Sequence, residues 1–107
     1  MGGRQKLGFK EARGLFLGCL RSRNYGHWPR KDAPLKNWLQ YDRITPDELV
    51  EVLLRCRGDQ HTASPSHFDP DTTAHEFLVE KEGQRWYVKA YWDDDLEQAV
   101  FMSVHPS

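Results

Sequence analysis

Long apolar runs are missing from this chain of 107 residues. No stretch approaches the roughly 18 consecutive apolar residues that cross a bilayer, and the opening Met1-Gly-Gly-Arg-Gln-Lys6 lacks the apolar centre of a secretion signal. The expectation is a cytoplasmic protein with no membrane partner. Cysteine is scarce as well: Cys19 and Cys56 fall in predicted helices, form no CxxC pair, and read as small core residues with no redox role rather than as a disulfide between the helices. Repeats, low-complexity tracts and interdomain linkers are absent, and 38% hydrophobic residues can fill one core, so residues 1–107 are expected to form a single domain. The phosphate-loop patterns GxxxxGKS/T and GxGxxG do not occur, and no serine sits in a nucleophile elbow. Five histidines (His27, His61, His67, His75 and His105) include no HExxH and no i, i+4 pair. We therefore expect neither a metal nor a cofactor.

What is present is charge, unevenly distributed. Residues 1–43 carry 10 Lys and Arg against 3 Asp and Glu, a balance of +7, whereas residues 44–107 carry 5 against 13, a balance of −8. A basic half can meet nucleic acid and an acidic half a basic partner, although folding can also interleave the two into an ordinary solvated surface.

From about residue 5 to 23, Phe9, Ala12, Phe16, Cys19 and Leu20 recur at helical spacing beside a basic flank. Residues 24–31 are broken by Gly26 and Pro29 and read as a loop. A short helix follows, with Asp32 near its start, Pro34 in the first turn and Leu35, Trp38 and Leu39 inward. Thr45-Pro-Asp-Glu48 is a capping box that predicts a helix over 46–57, stopped by Gly58. After a long loop with at most one short strand near 60–64, strands are predicted over 74–81, 85–92 and 97–104, joined by Glu82-Gly83 and by Asp93-Asp-Asp-Leu96. The Asp93–95 run reads as a charged hairpin tip. The expected fold is α+β: two or three N-terminal helices on one face of a three- to four-stranded antiparallel sheet.

The run Gln84-Arg-Trp-Tyr-Val-Lys-Ala-Tyr-Trp92 alternates between faces. Trp86, Val88, Ala90 and Trp92 suit a core; Arg85, Tyr87, Lys89 and Tyr91 suit a backbone phosphate and stacked bases. Metal-free RNA cleavage needs a base for the ribose 2′-hydroxyl, cations for the phosphate and an acid for the leaving 5′-oxygen. His75, Tyr87, Lys89 and His105 are the candidate catalytic set; His61, Arg85, Tyr91, Arg30 and Lys31 are candidate RNA contacts. The same alternation is also what any half-exposed antiparallel strand displays.

Gly83-Gln-Arg-Trp-Tyr-Val-Lys89 followed by Phe101-Met-Ser-Val-His-Pro106 resembles the C-terminal half of MqsR-like toxins, within the wider RelE-like mRNA interferases. The resemblance covers residues 73–106. It implies metal-independent cleavage of mRNA, possible action at the ribosome, and neutralisation by a cognate antitoxin. By position it also implies Tyr87 as the phenol near the scissile phosphate, Lys89 as charge anchor, His105 as terminal-strand acid or base, His75 as a polar strand residue and His61 as a loop cation. The chain is less basic than such toxins, with an isoelectric point near 6.5. A non-enzymatic inhibitor or immunity protein, using the acidic hairpin and Trp28, Trp86 or Trp92, accounts for the same aromatics.

Overall fold

The computed structural model describes residues 8–107, so the first residues of the predicted N-terminal helix lie outside it. Helix α1 (Phe9–Ser22) buries Ala12, Phe16, Cys19 and Leu20, which lie along one stripe. It closes at Arg23, in the left-handed region at φ 60°, where the Asn24 N–H donates to the Cys19 carbonyl at 2.9 Å. Helix α3 (Pro46–Leu54) begins with the capping box foreseen from sequence: Thr45 Oγ1 accepts from Glu48 N–H at 3.1 Å and Glu48 Oε1 from Thr45 N–H at 2.9 Å. It stops before residue 57. Cys56 turns inward, its carbonyl takes a 2.9 Å hydrogen bond from Arg13 Nη1, and Gly58 opens a 3-10 turn. Between these helices α2 (Ala33–Lys36) is a single turn. Leu39 is buried and Trp38 packs on the core, but Leu35 is 70% exposed, contrary to the inward placement expected of it.

Among the described residues, five strands form one mixed sheet, not the three- to four-stranded antiparallel sheet expected. The strands are β1 (Tyr25–His27), β2 (His61–Pro65), β3 (Thr73–Lys81), β4 (Gln84–Asp93) and β5 (Gln98–Pro106), in the order β1-β5-β4-β3-β2. The parallel member is β1, which lies in what sequence reads as a loop and pairs Tyr25 with Ala99 and His27 with Phe101. Three residues centred on a glycine carry no local strand signal, so this pairing is a tertiary effect. The β3–β4 turn uses positive φ at Glu82 (54°) and Gly83 (80°), as a two-residue hairpin requires.

Helices α1 and α3 cover one side of the sheet. Phe16 of α1 meets Phe77 of β3 and Phe101 of β5 at ring distances of 5.9 and 6.2 Å, among buried Val79, Val88, Ala90 and Val104. Both Phe101 and Val104 are fully buried, although three residues apart in one strand. A bulge reconciles this with alternation: Ala90 pairs with Phe101 but Lys89 with Ser103, leaving Met102 as the extra residue. Past the bulge the parity inverts, so Ser103 and His105 turn away from the helices. No helix among the described residues is long and apolar enough to cross a membrane.

Candidate RNA-binding face

Strand register settles which side chains share the open side of the sheet. Tyr87 pairs with His105, Lys89 with Ser103 and with Glu76, and Tyr91 with Ala74, all with the parity opposite to buried Val88 and Ala90. Tyr87, Lys89 and His105 thus stand together on the face that α1 and α3 leave free. Tyr87 joins its neighbours: its hydroxyl donates to Glu76 Oε2 at 2.8 Å, and its ring lies 5.4 Å from the His105 imidazole. Carboxylate, phenol and imidazole therefore form a row across β3, β4 and β5. Burial, then the bond to Glu76 and its charge, push the Tyr87 phenol above its ordinary value. It remains a proton donor and is no base. Lys89 Nζ approaches the same Glu76 oxygen at 3.9 Å.

Arg30 reaches this row from the segment between β1 and α2. The chain leaves the β5 edge where Trp28 N–H donates to the Phe101 carbonyl and, after α2, rejoins it where Trp38 N–H donates to the Val104 carbonyl. Arg30 Nη1 donates to Met102 O (3.1 Å) and Ser103 Oγ (2.8 Å), while Nε and Nη2 clamp Asp32. The guanidinium holds the Asp32 carboxyl below its ordinary value. Four of the five guanidinium N–H groups are thereby engaged. Arg30 contributes positive potential and one free donor; Lys89, whose side chain is no more exposed than that of Arg30, contributes an ammonium whose ion-pair partner is Glu76. Its neighbour Lys31 is exposed, as is Arg85, which pairs with Glu80 and borders a separate cleft with Leu78 and Trp86.

His75 and His61 lie on the opposite face. His75 shares the parity of Phe77 and Val79, is 2% exposed, and meets the Phe16 ring edge-on at 5.6 Å. Its Nδ1 lies 3.0 Å from His61 Nε2, with the rings nearly parallel at 14° and centroids 5.2 Å apart. Burial, then the His61 charge, depress His75 to about 4; burial alone lowers His61. This pair is separated by the sheet from Tyr87, Lys89 and His105.

Tyr91 is buried in a further cluster on the open side. Trp28 and Phe68 stack at 4.3 Å and 26°, and Tyr91 lies 5.1 Å from Phe68 and 6.1 Å from Trp28. Two residues of this face, Glu76 and Ser103, carry no signal of their own in the sequence reading: strand parity opposite Lys89 points to Glu76, whereas Ser103 comes opposite Lys89 only through the bulge at Met102. Phe68, in a loop, gave no periodic signal. Among the described residues no group of three His, Cys, Asp or Glu side chains is placed to hold a metal ion. Comparison with family models, curated proteins and solved structures returned no match.

Proposed function

We propose that the open face of the sheet binds RNA and cleaves it without a metal, as a RelE/MqsR-like mRNA interferase toxin held in check by an antitoxin. The observation that carries this reading is the row Glu76–Tyr87–His105 with Lys89 and Arg30 beside it, on the face opposite α1 and α3. Each requirement of phosphodiester cleavage has a supplier there. The Glu76 carboxylate takes the proton of the ribose 2′-hydroxyl as that oxygen attacks phosphorus; protonated His105 gives a proton to the departing 5′-oxygen as its bond to phosphorus breaks. The products are a 2′,3′-cyclic phosphate and a 5′-hydroxyl. Lys89, the remaining Arg30 donor and the Tyr87 hydroxyl face the charge that grows on the phosphoryl oxygens. Substrate must displace Tyr87 or Lys89 in part from Glu76 to free the carboxylate.

The test is cleavage of single-stranded RNA by the purified protein, with end-group analysis of the products. Glu76→Gln and His105→Ala should each lower the rate about 10²–10⁴-fold, the usual size of one acid–base partner, and alanine at Tyr87, Lys89 or His105 should relieve growth arrest on expression. Full activity in all these variants rejects the assignment. The inhibitor reading draws less from the fold: Trp28, Trp86 and Trp92 are only partly exposed, the last two packed on the core. Harmless overexpression would favour it.

A further inference from the structure

Two chain segments cross the open face with the same two-residue rhythm. Strand β4 presents Lys89 and then Tyr91, about 7 Å apart at the rise of a strand. The segment above it presents Arg30 and Trp28, Arg30 bonded to Ser103 opposite Lys89 and Trp28 packed on Tyr91. A cationic station therefore adjoins an aromatic one. The aromatic station is completed by Phe68, which remains 42% exposed although it is a phenylalanine on a loop. That loop is fixed by its own bonds: Ser66 N–H to Thr72 O at 2.8 Å, and Asp69 accepting from Asp71 N–H and from Thr72 Oγ1, each at 3.0 Å. An exposed ring held rigid is a preorganised contact rather than a residue left over from core packing. Beside it, at the end of the sheet, opens a cleft of about 320 Å³ lined by Phe68, Tyr91 and Thr72, by His75 and Trp92 from the helix-covered side, and by the acidic residues Asp69, Asp93, Asp94 and Asp95.

We infer that this cleft is a nucleobase subsite, in which an unpaired base of the RNA stacks on the exposed Phe68 ring, itself backed by Tyr91 and Trp28, while its flanking phosphate rests at Lys89. The inference rests on the proposed RNA-cleaving face and adds which part of the substrate that face reads. Aromatic walls accept the π-face of any base, and a paired base cannot reach them, so the substrate is single-stranded. The rim selects further. Carboxylates repel the phosphodiester chain, which keeps the backbone on the Lys89 side, and they accept hydrogen bonds without donating any. Bases carrying an exocyclic amino group (adenine, cytosine and guanine) therefore suit the cleft better than uracil.

The experiment uses the full chain and a short single-stranded oligoribonucleotide with 2′-O-methyl sugars, which has no 2′-hydroxyl to attack phosphorus, carrying 2-aminopurine as a fluorescent base. Binding to the wild-type protein should quench the fluorophore. Phe68→Ala should weaken binding roughly tenfold, the scale of one base–aromatic stack, and remove the quench. Phe68→Leu, which keeps an apolar side chain and guards against loop collapse, should also remove the quench while its circular dichroism matches wild type. Tight binding with full quench in both variants overturns the subsite. Wild-type protein that quenches the probe yet leaves unmodified RNA intact sinks the nuclease reading and keeps the subsite. Cleavage of unmodified RNA with no quench at any base position does the reverse, and no binding at all removes both.

Discussion

Replacing His75 with phenylalanine should flatten the acid limb of this protein's stability curve. His75 is buried against Phe16 and hydrogen-bonded to His61, and its folded value is depressed from about 6.5 to about 4. A group whose folded value is depressed binds fewer protons folded than unfolded at intermediate pH, so stability is complete above about 6.5 and falls as pH drops toward 4. The full difference is about 2.5 units, or about 3 kcal/mol, of which about 2 kcal/mol is lost between pH 7 and pH 5. Urea unfolding followed by circular dichroism at half-unit pH steps measures this. The informative quantity is the pH dependence of the wild-type minus Phe variant difference, because carboxylate titrations affect both curves alike and any packing change from the larger ring adds only a pH-independent offset. That difference should shift by about 2 kcal/mol from pH 7 to pH 5. Parallel curves over that range would show that the imidazole titrates normally, and the burial argument would fail.

Asn37 is fully buried, with Nδ2 donating to the Phe101 carbonyl at 3.2 Å and Oδ1 accepting from Gln40 N–H at 3.3 Å. Asn37→Ala should lower unfolding free energy by about 1–3 kcal/mol, since it removes both side-chain hydrogen bonds and leaves the Gln40 N–H without this acceptor, while the Phe101 carbonyl keeps Trp28 N–H; a urea midpoint unchanged from wild type would contradict this. Binding of an uncleavable single-stranded RNA should depend shallowly on salt, with a logarithmic slope of about −1.4 for contacts at two phosphates. A slope steeper than about −3 would place the main contacts elsewhere, on the basic outer side of α1.

The parts of the fold legible in sequence are those whose cause is local. The Thr45/Glu48 box and the Glu82-Gly83 hairpin each act within four residues, and each stands where expected. Strand β1 escaped because Tyr25-Gly-His27 acquires its extended pairing from β5, far along the chain. The open face was half legible. Alternation in β4 assigned Tyr87 and Lys89 correctly to one side, but the side taken by His105 depends on the bulge at Met102, which no pattern in residues 98–106 announces. The position of His75 was there to be read: Phe77 and Val79, two and four residues on, share its parity and are apolar. The same count, shifted by one, would have found Glu76.

The charge asymmetry along the sequence takes a different meaning once folded. Arg30 belongs to the basic half and Lys89 to the acidic half, yet both meet at Ser103. Each has an acid of its own, Asp32 for Arg30 and Glu76 for Lys89. The face therefore holds little excess charge at rest, in keeping with a chain whose net charge is −1. Such a surface would attract polyanions weakly at long range and would discriminate at contact, where a phosphate competes with Glu76 for the ammonium of Lys89 and an unpaired base finds the Phe68 ring. On the proposed reading, recognition would fall to the rings and the hydrogen-bonded row, with bulk electrostatics in a minor part. Adding cations to the acidic tip, as in Asp94→Lys, would then raise affinity for any RNA while eroding the preference for single strands.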